Sequence, residues 1–350
     1  MSVVTAAKER SANVLLVGDL AVIAAAAKGR GIGASRLARV DDPHGDWASR
    51  GQIAVWQPTF ALAARDRAPG RPTAAAGAAQ LAWIDAACDL AAKGDADALV
   101  TGPVSKEAIV RSGAPGSAHF LGHTEHLQRR LHAREVVMAF WSPALVTSLA
   151  TTHLPLSRVP RAVTIDAVAR ATYWLVWLLS RLGIRVPRVA VAALNPHAGE
   201  GGLLGSEEAR HVVPGIARAQ ARLRSGHIAA AIEGPIPAES AFRLARAKHW
   251  DGVVALYHDQ ATIPMKLLGF GDAVNVSLGL PIVRTSVDHG TAYDRAGSWT
   301  ADAHAMGAAV TLARRLLESP DRGTPISARA RGARKPPRQS AQDRLRRRSA

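Results

Sequence analysis

One rhythm constrains this chain more than any other feature. A short apolar run is followed by a polar or Gly/Pro loop, then by a longer stretch rich in Ala, Leu and Arg. Strands that alternate with helices in this way form a parallel sheet with crossover helices packed on its faces, so the pattern predicts an α/β fold. The expected strands are NVLLVG (13–18), DALVTG (97–102), VVMAF (136–140), LVTSLATTH (145–153), RVAVAALN (188–195), GVVALYH (252–258) and AVNVSLG (273–279). Expected helices cover 75–92, 162–182, 206–224 and 301–317. Ser206 stands where an N-cap belongs, and Glu207 and Glu208 fall in the first turn, where the helix dipole favours acids. No internal repeat is present, and 350 residues suffice for one large α/β domain or two smaller ones.

Composition removes several classes of function. No apolar run approaches the ~18 residues of a membrane span, and the N-terminus carries Lys8, Glu9 and Arg10 without a cleavage-type signal. A single cysteine, Cys88, excludes an internal disulfide and a thiolate-rich metal site, and a reducing cytoplasm is the expected compartment. The net charge of +16 is unevenly placed: residues 321–350 hold ten Lys/Arg and two Asp, or +8 of the total. That tail has almost no apolar residues and reads as a solvated, disordered extension over 319–350. It lacks the interleaved aromatics of a single-strand binder, so a nucleic-acid partner is not expected.

Three of the thirteen histidines close expected strands with the same polarity: His153, His197 and His258. A proline lies near each. In open parallel sheets, ligands bind outside the carboxyl ends of the strands. Three imidazoles converging there would suit a divalent transition metal with positions left open for a substrate. Taken singly, each histidine reads equally as a surface residue in a loop. The H-x-x-H of GHTEH (122–126) is read as a loop, not as the helix of a metalloprotease.

Beyond His258, Lys266, Asn275 and Arg284 follow at intervals of nine residues. A lysine offers a point charge and an arginine a forked donor, both suited to phosphate or carboxylate. TGPVSKEAI (101–109) runs from a strand end into a helix start, a second place that favours an anion. Asp288, His289 and Gly290 form a polar turn before TAYDRAG. GRGIGA (29–34) matches a dinucleotide fingerprint, but it follows the helical LAVIAAAAK rather than a strand and is read as an ordinary loop.

In order along the chain stand TGPVSKEAI, GHTEHL, ALNPHAGEGGLLGSEE, GPIPAESAF, ALYHDQATIPMKLLGFGDAVNVSLGLP and RTSVDHGTAYDRAG. Together they closely resemble the 4-hydroxythreonine-4-phosphate dehydrogenase family of vitamin B6 biosynthesis, over roughly residues 13–317. The resemblance implies a fold like the isocitrate and isopropylmalate dehydrogenases, with two α/β lobes around a cleft. The lobes would be 1–140 with 285–318, and 141–284. It implies a homodimer whose subunits share the active site, and NAD bound without a Rossmann fingerprint. His153, His197 and His258 look like ligands of a divalent metal (Zn, Mg or Co). His123 and Thr124 look like substrate contacts, with Lys266, Asn275 and Arg284 as the anchoring set. Asp259 is placed either to accept a proton or to orient a histidine, and Lys266 is its companion in the catalytic set. Asn195, Gly199, Gly201, Asp288 and Gly290 are the expected cofactor contacts. The implied reaction oxidises the C3 hydroxyl of 4-phosphohydroxy-L-threonine and then releases CO2.

The chain departs from this family in three ways. The glycine-rich opening G-D-P-x-G-I-G-P-E and its strand are missing, which predicts an exposed edge or an opened sheet beside the cleft. Ala261 stands where the family commonly has Gly, and the arginine-rich tail is not a family feature. The competing expectations are a relative acting on 4-phospho-D-threonate or 4-phospho-D-erythronate, and a catalytically silent protein binding acidic partners through its tail.

Overall fold

The computed structural model describes residues 1–8, 13–44, 47, 51–269 and 271–318; the basic tail lies outside them. The chain opens with α1 (Ser2–Lys8), β1 (Leu15–Val17), α2 (Leu20–Gly29), β2 (Leu37–Val40), β3 (Ile53–Trp56), α3 (Ala74–Lys93) and β4 (Ala98–Thr101). It continues with α4 (Lys106–Arg111), α5 (His123–Arg130), β5 (Val137–Trp141), β6 (Val146–Leu149), α6 (Val159–Ala162), α7 (Ile165–Arg181), β7 (Arg188–Ala192) and α8 (Val213–Ser225). β8 (Ala231–Ile236), α9 (Ala238–Arg246), β9 (Gly252–Ala255), α10 (His258–Gly269), β10 (Val274–Leu278), β11 (Val283–Val287) and α11 (His304–Glu318) complete it.

The α/β alternation is correct, but the wholly parallel sheet is not. An eight-stranded sheet runs β4-β11-β10-β5-β6-β9-β7-β8, and three of its pairings (β11/β10, β10/β5 and β5/β6) are antiparallel. Linker length explains this. Four residues, 142–145, join β5 to β6, and four, 279–282, join β10 to β11; a parallel crossover needs about a dozen or more. Ser142 closes the first turn: its N–H donates to the Leu145 carbonyl and its Oγ accepts the Leu145 N–H, and Gly279 turns the second at φ +91°. The strands β6, β9, β7 and β8 are parallel, as the helical crossovers between them require.

The longest helices follow from their apolar faces. Thr164 caps α7 by accepting the Ala167 N–H, and α7 buries Val168, Leu175, Leu178 and Leu179 against β6 and β9. Phe242 and Ala245 of α9 join Met265 of α10 in a second core around β7, β9 and the buried Phe140. No single helix among the described residues is long and apolar enough to cross a membrane.

Several boundaries move. β6, β7 and β9 end three to four residues before the expected limits, so the histidines sit beyond the ladder rather than on it. GHTEH is not a loop: His123 begins α5. Ser206 makes no side-chain cap; the segment after it opens as a π-turn over Glu208–Val212 and leads into α8. The expected lobe limits fall inside β5 and inside β11, both interior strands of the larger sheet.

β1, β3 and β2 form a separate three-stranded parallel sheet with no ladder to the larger one. α1 packs on β1, β3 and α11, and Met1 packs against the small cluster of Val287, Ala305 and Met306. Helix contact, not strand pairing, ties the small sheet to the large one. GRGIGA is the C-terminal turn of α2 leading towards β2, which agrees with reading it as a loop.

α3 and α4 approach so closely that a Cβ on Gly77 would lie 2.0 Å from the Ala108 carbonyl oxygen. Gly77→Ala should therefore lose about 3 kcal/mol or more in urea unfolding, because backbone must move. Gly113→Ala meets no atom within 4 Å and suffers only its φ of +65°; it should lose about 1–2 kcal/mol. Equal losses would mean that the contact carries no strain.

Candidate active site

The strands that precede the three histidines are neighbours in the sheet, in the order β6-β9-β7. Two side chains fix the loops after β9 and β7. Gln260 accepts the Leu256 N–H at 2.6 Å and donates to the Ala193 carbonyl at 2.8 Å, joining the ends of β9 and β7. Glu208 accepts the N–H groups of Leu194 and Asn195 with one oxygen and the Asn195 side-chain amide with the other. Ala261 is fully buried in α10.

His258 and His153 come together, with ring centroids 5.5 Å apart. Each presents its Nδ1 to a carboxylate. Asp259 Oδ1 lies 2.7 Å from His258 Nδ1, and Glu125 Oε1 lies 3.6 Å from His153 Nδ1. His153 holds the Glu125 carboxyl below its ordinary range, against the opposing effect of burial. The other oxygen of Glu125 is buried without a hydrogen-bond partner. His197 begins a left-handed run through residues 197–201 and is exposed. Among the described residues no group of three His, Cys, Asp or Glu side chains is placed to hold a metal.

Next to this pair lies a polar cluster around Arg284, on β11. The guanidinium is buried, with 3% exposure. Nη1 donates to Asn275 Oδ1 (3.2 Å) and Ser277 Oγ (2.9 Å), and Nη2 donates to Thr101 Oγ1 (2.6 Å). Thr124 Oγ1 shares a hydrogen bond with Ser277 Oγ. All these partners are neutral, and Nε has none. Burial lowers the pKa to about 10, opposed by the negative charge of Glu125, so the group remains a cation at neutral pH. His123 stands beside it with Nε2 buried and unpartnered. Burial, then the positive charges of Arg284, His126 and Lys106, lower its pKa to about 3 and keep the imidazole neutral. α4 has only six residues, so its contribution here is the Thr101 hydroxyl upstream rather than a helix terminus.

The remaining expected site residues divide. Lys266 is exposed on α10, and its charge and that of His258 act on the carboxyl of Asp288, whose pKa is raised mainly by burial. Asp288 thus belongs to the same cleft. Asn195 and Gly199 serve the loop itself: the Asn195 amide donates to Glu207 and Glu208, and a Cβ on Gly199 would lie 2.9 Å from Glu208. Gly201 and Gly290 have open space around them. Sequence reasoning passed over Thr101, Ser277, Glu125 and Lys106. The first two are hydroxyls inside apolar-looking strands, whose pairing with Arg284 has no local signature.

The donor chemistry of the histidine pair fits a divalent transition metal, because both Nδ1 atoms face carboxylates and neither Nε2 has a hydrogen-bond partner among the described residues. One chain supplies two imidazoles at that place, not three.

The neutral His123 makes a pH prediction. Its folded pKa lies below the ordinary 6.5, so the unfolded chain binds more protons between about 3 and 6.5. The stability contribution is complete above that window and is lost as pH falls through it, by up to about 1.4 kcal/mol per pH unit. Urea unfolding between pH 7 and 4.5 should show a shallower pH slope for His123→Gln than for wild type. Equal slopes would overturn the assignment.

The model of the family described as pyridoxal phosphate biosynthetic protein PdxA matches residues 10–313. A 4-hydroxythreonine-4-phosphate dehydrogenase of Desulfosudis oleivorans is 42% identical over 300 residues, 85% of each chain. That of Geobacter metallireducens is 42% identical over 317 residues, 89% of each. The crystal structure of 4-hydroxythreonine-4-phosphate dehydrogenase from Klebsiella pneumoniae superimposes with a TM-score of 0.75 at 31% identity, covering 91% of this chain and 95% of that one. The buried arginine cluster and the paired histidines therefore sit on a shared fold, and the chain belongs to the PdxA family.

Proposed function

We propose that the protein is a metal-assisted, NAD-dependent dehydrogenase that oxidises the C3 hydroxyl of 4-phosphohydroxy-L-threonine and releases CO2 from the resulting β-keto acid. The observation that carries this reading is Arg284. A buried guanidinium with only neutral partners is costly unless a ligand brings the missing negative charge, and a phosphate oxygen would do so. Thr124 and Thr101 hydroxyls and the Asn275 amide surround it as further donors. Neutral His123 can donate a hydrogen bond without adding charge.

At the other end, His153 and His258 would hold a divalent ion, which supplies a Lewis-acid charge useful in both the oxidation and the decarboxylation. Asp259 keeps the His258 ring in the tautomer that leaves Nε2 as the donor atom. Lys266 places an ammonium beside Asp288 and offsets the negative charge of an incoming acid. The hydride leaves C3 for NAD, the hydroxyl proton goes to solvent, and loss of CO2 leaves an electron pair that a proton quenches.

The third ligand is assigned to His197 of a second copy. Exposed apolar side chains border each histidine: Leu154 and Leu156 after His153, Leu203 and Leu204 after His197, and Ile263 and Leu267 after His258. Such a patch around one cleft suits a homodimer interface.

The test follows NADH absorbance with added Zn, Mg or Co, using 4-phosphohydroxy-L-threonine, 4-phospho-D-threonate and 4-phospho-D-erythronate in parallel. Metal-dependent turnover, highest with the first substrate and abolished in His258→Ala, is the expected result. A higher rate on either sugar acid would reassign the substrate, and turnover on none would end the reading. Co-refolding His258→Ala with His197→Ala should restore about a quarter of wild-type activity, since half the dimers then hold one intact site. No recovery would place all ligands in one chain.

A further inference from the structure

Glu125 is the residue whose placement asks for more explanation than substrate contact gives it. It lies in the first turn of α5, directly after His123 and Thr124, yet its carboxylate turns towards His153, 153 being on the loop after β6. The approach requires space: a Cβ on Gly122 would stand 3.1 Å from Glu125 Oε2, with the Lys106 ammonium 3.8 Å from the same point. The side chain is 27% exposed, against 47% for the imidazole it faces, so the pair is partly shielded from water. The second histidine of the pair has the same arrangement, with Asp259 on Nδ1.

We propose that Glu125 is a positioning residue that holds the Nδ1 proton of His153 and thereby presents Nε2 as a metal-binding atom. A neutral imidazole has two tautomers, and only the one protonated at Nδ1 offers Nε2 as a lone pair. A carboxylate against Nδ1 selects that tautomer, orients the ring and raises its basicity; loss of such a partner typically weakens metal affinity by about 10–100-fold. The 3.6 Å separation is just beyond hydrogen-bond length, and a small rotation of either side chain closes it. The unpartnered Oε2 lies beside Gly122, with the Lys106 ammonium close by.

The inference rests on His153 being a metal ligand, and the experiment separates the two. The full-length protein, stripped with a chelator, is titrated with Co(II) alone against a competing chelator, while the Co(II) absorption band reports the ligand set. Glu125→Gln should bind Co(II) about 10–100-fold more weakly than wild type, and Glu125→Asp should recover most of the loss. Long-range proton–nitrogen spectra of the metal-free protein should show the His153 imidazole protonated at Nδ1 in wild type and mixed between tautomers in Glu125→Gln. Thermal melts confirm that both variants are folded. If His153→Ala abolishes Co(II) binding but Glu125→Gln leaves affinity and tautomer unchanged, the positioning role is wrong and the metal site stands. If His153→Ala binds Co(II) as wild type does, both fall.

Discussion

The buried Arg284 guanidinium is the constraint around which the site is arranged. Taking an arginine out of water is unfavourable by several kcal/mol unless its donors are met. Here the two terminal nitrogens are met from three elements at once, and Nε alone is left without a partner: Thr101 at the end of β4, Asn275 and Ser277 on β10, and, through Ser277, Thr124 at the start of α5. β11 carries Arg284 between β4 and β10, so the short antiparallel connection from β10 is what brings Asn275 and Ser277 alongside. The wholly parallel sheet suggested by the sequence would have put them elsewhere.

The histidine end depends on loops held by single polar residues. β6, β9 and β7 stop early, and the chain beyond them would be free to wander without an anchor. Gln260 bonds backbone at the ends of β9 and β7, Glu208 reaches back from the π-turn to the chain after β7, and the Thr151 hydroxyl, after β6, donates to the Leu256 carbonyl. That gives a physical answer to why His-Asp-Gln stands together: the histidine faces the cleft, the aspartate orients it, and the glutamine fastens its loop to the neighbour. The π-turn over Glu208–Val212 puts Glu208 within reach of both Leu194 and Asn195.

How much of this was legible depended on whether the signal was local. Periodicity located the helices near α3, α7 and α11 and most interior strands, because burial on one face writes itself into neighbouring positions. It missed β2, β3, β8 and β11: LARV is half exposed, IAVW is a run of only four residues, AIEGPI carries Gly and Pro, and VRTSV hides an arginine and two hydroxyls in a buried strand. Those polar residues looked like poor strand formers, yet each has a partner when buried: Arg284 donates to side chains of β10 and β4, Thr285 to the Ala309 carbonyl of α11, and Ser286 to the Thr101 carbonyl. The histidines and Arg284 were visible as residue types at strand ends, and β6, β9 and β7 do lie side by side. The pairing of His153 with His258, and the separate small sheet, are decided by tertiary contacts that no window of sequence contains.

The stretch Gly122–Glu125 couples the two ends. Within one helical turn, His123 and Thr124 stand at the Arg284 cluster and Glu125 faces the histidine pair, while Gly122 leaves room for the carboxylate to fold back. Glu125 also acts on Arg284 through its charge, so the same side chain senses both ends. A substrate that is anchored by a phosphate and reacts at a carbon some bonds away needs that distance fixed, since small misplacements of a reacting atom lower rates steeply. Leu127 and His126, further along α5, lock the turn to α3 and the neighbouring core: Leu127 is fully buried, and His126 Nε2 lies 2.6 Å from Asp85 on α3. The spacing between the Arg284 cluster and the histidines is thus set by a short helix with both faces held, rather than by a flexible loop. That is why the residues that matter here fall in consecutive positions of the sequence.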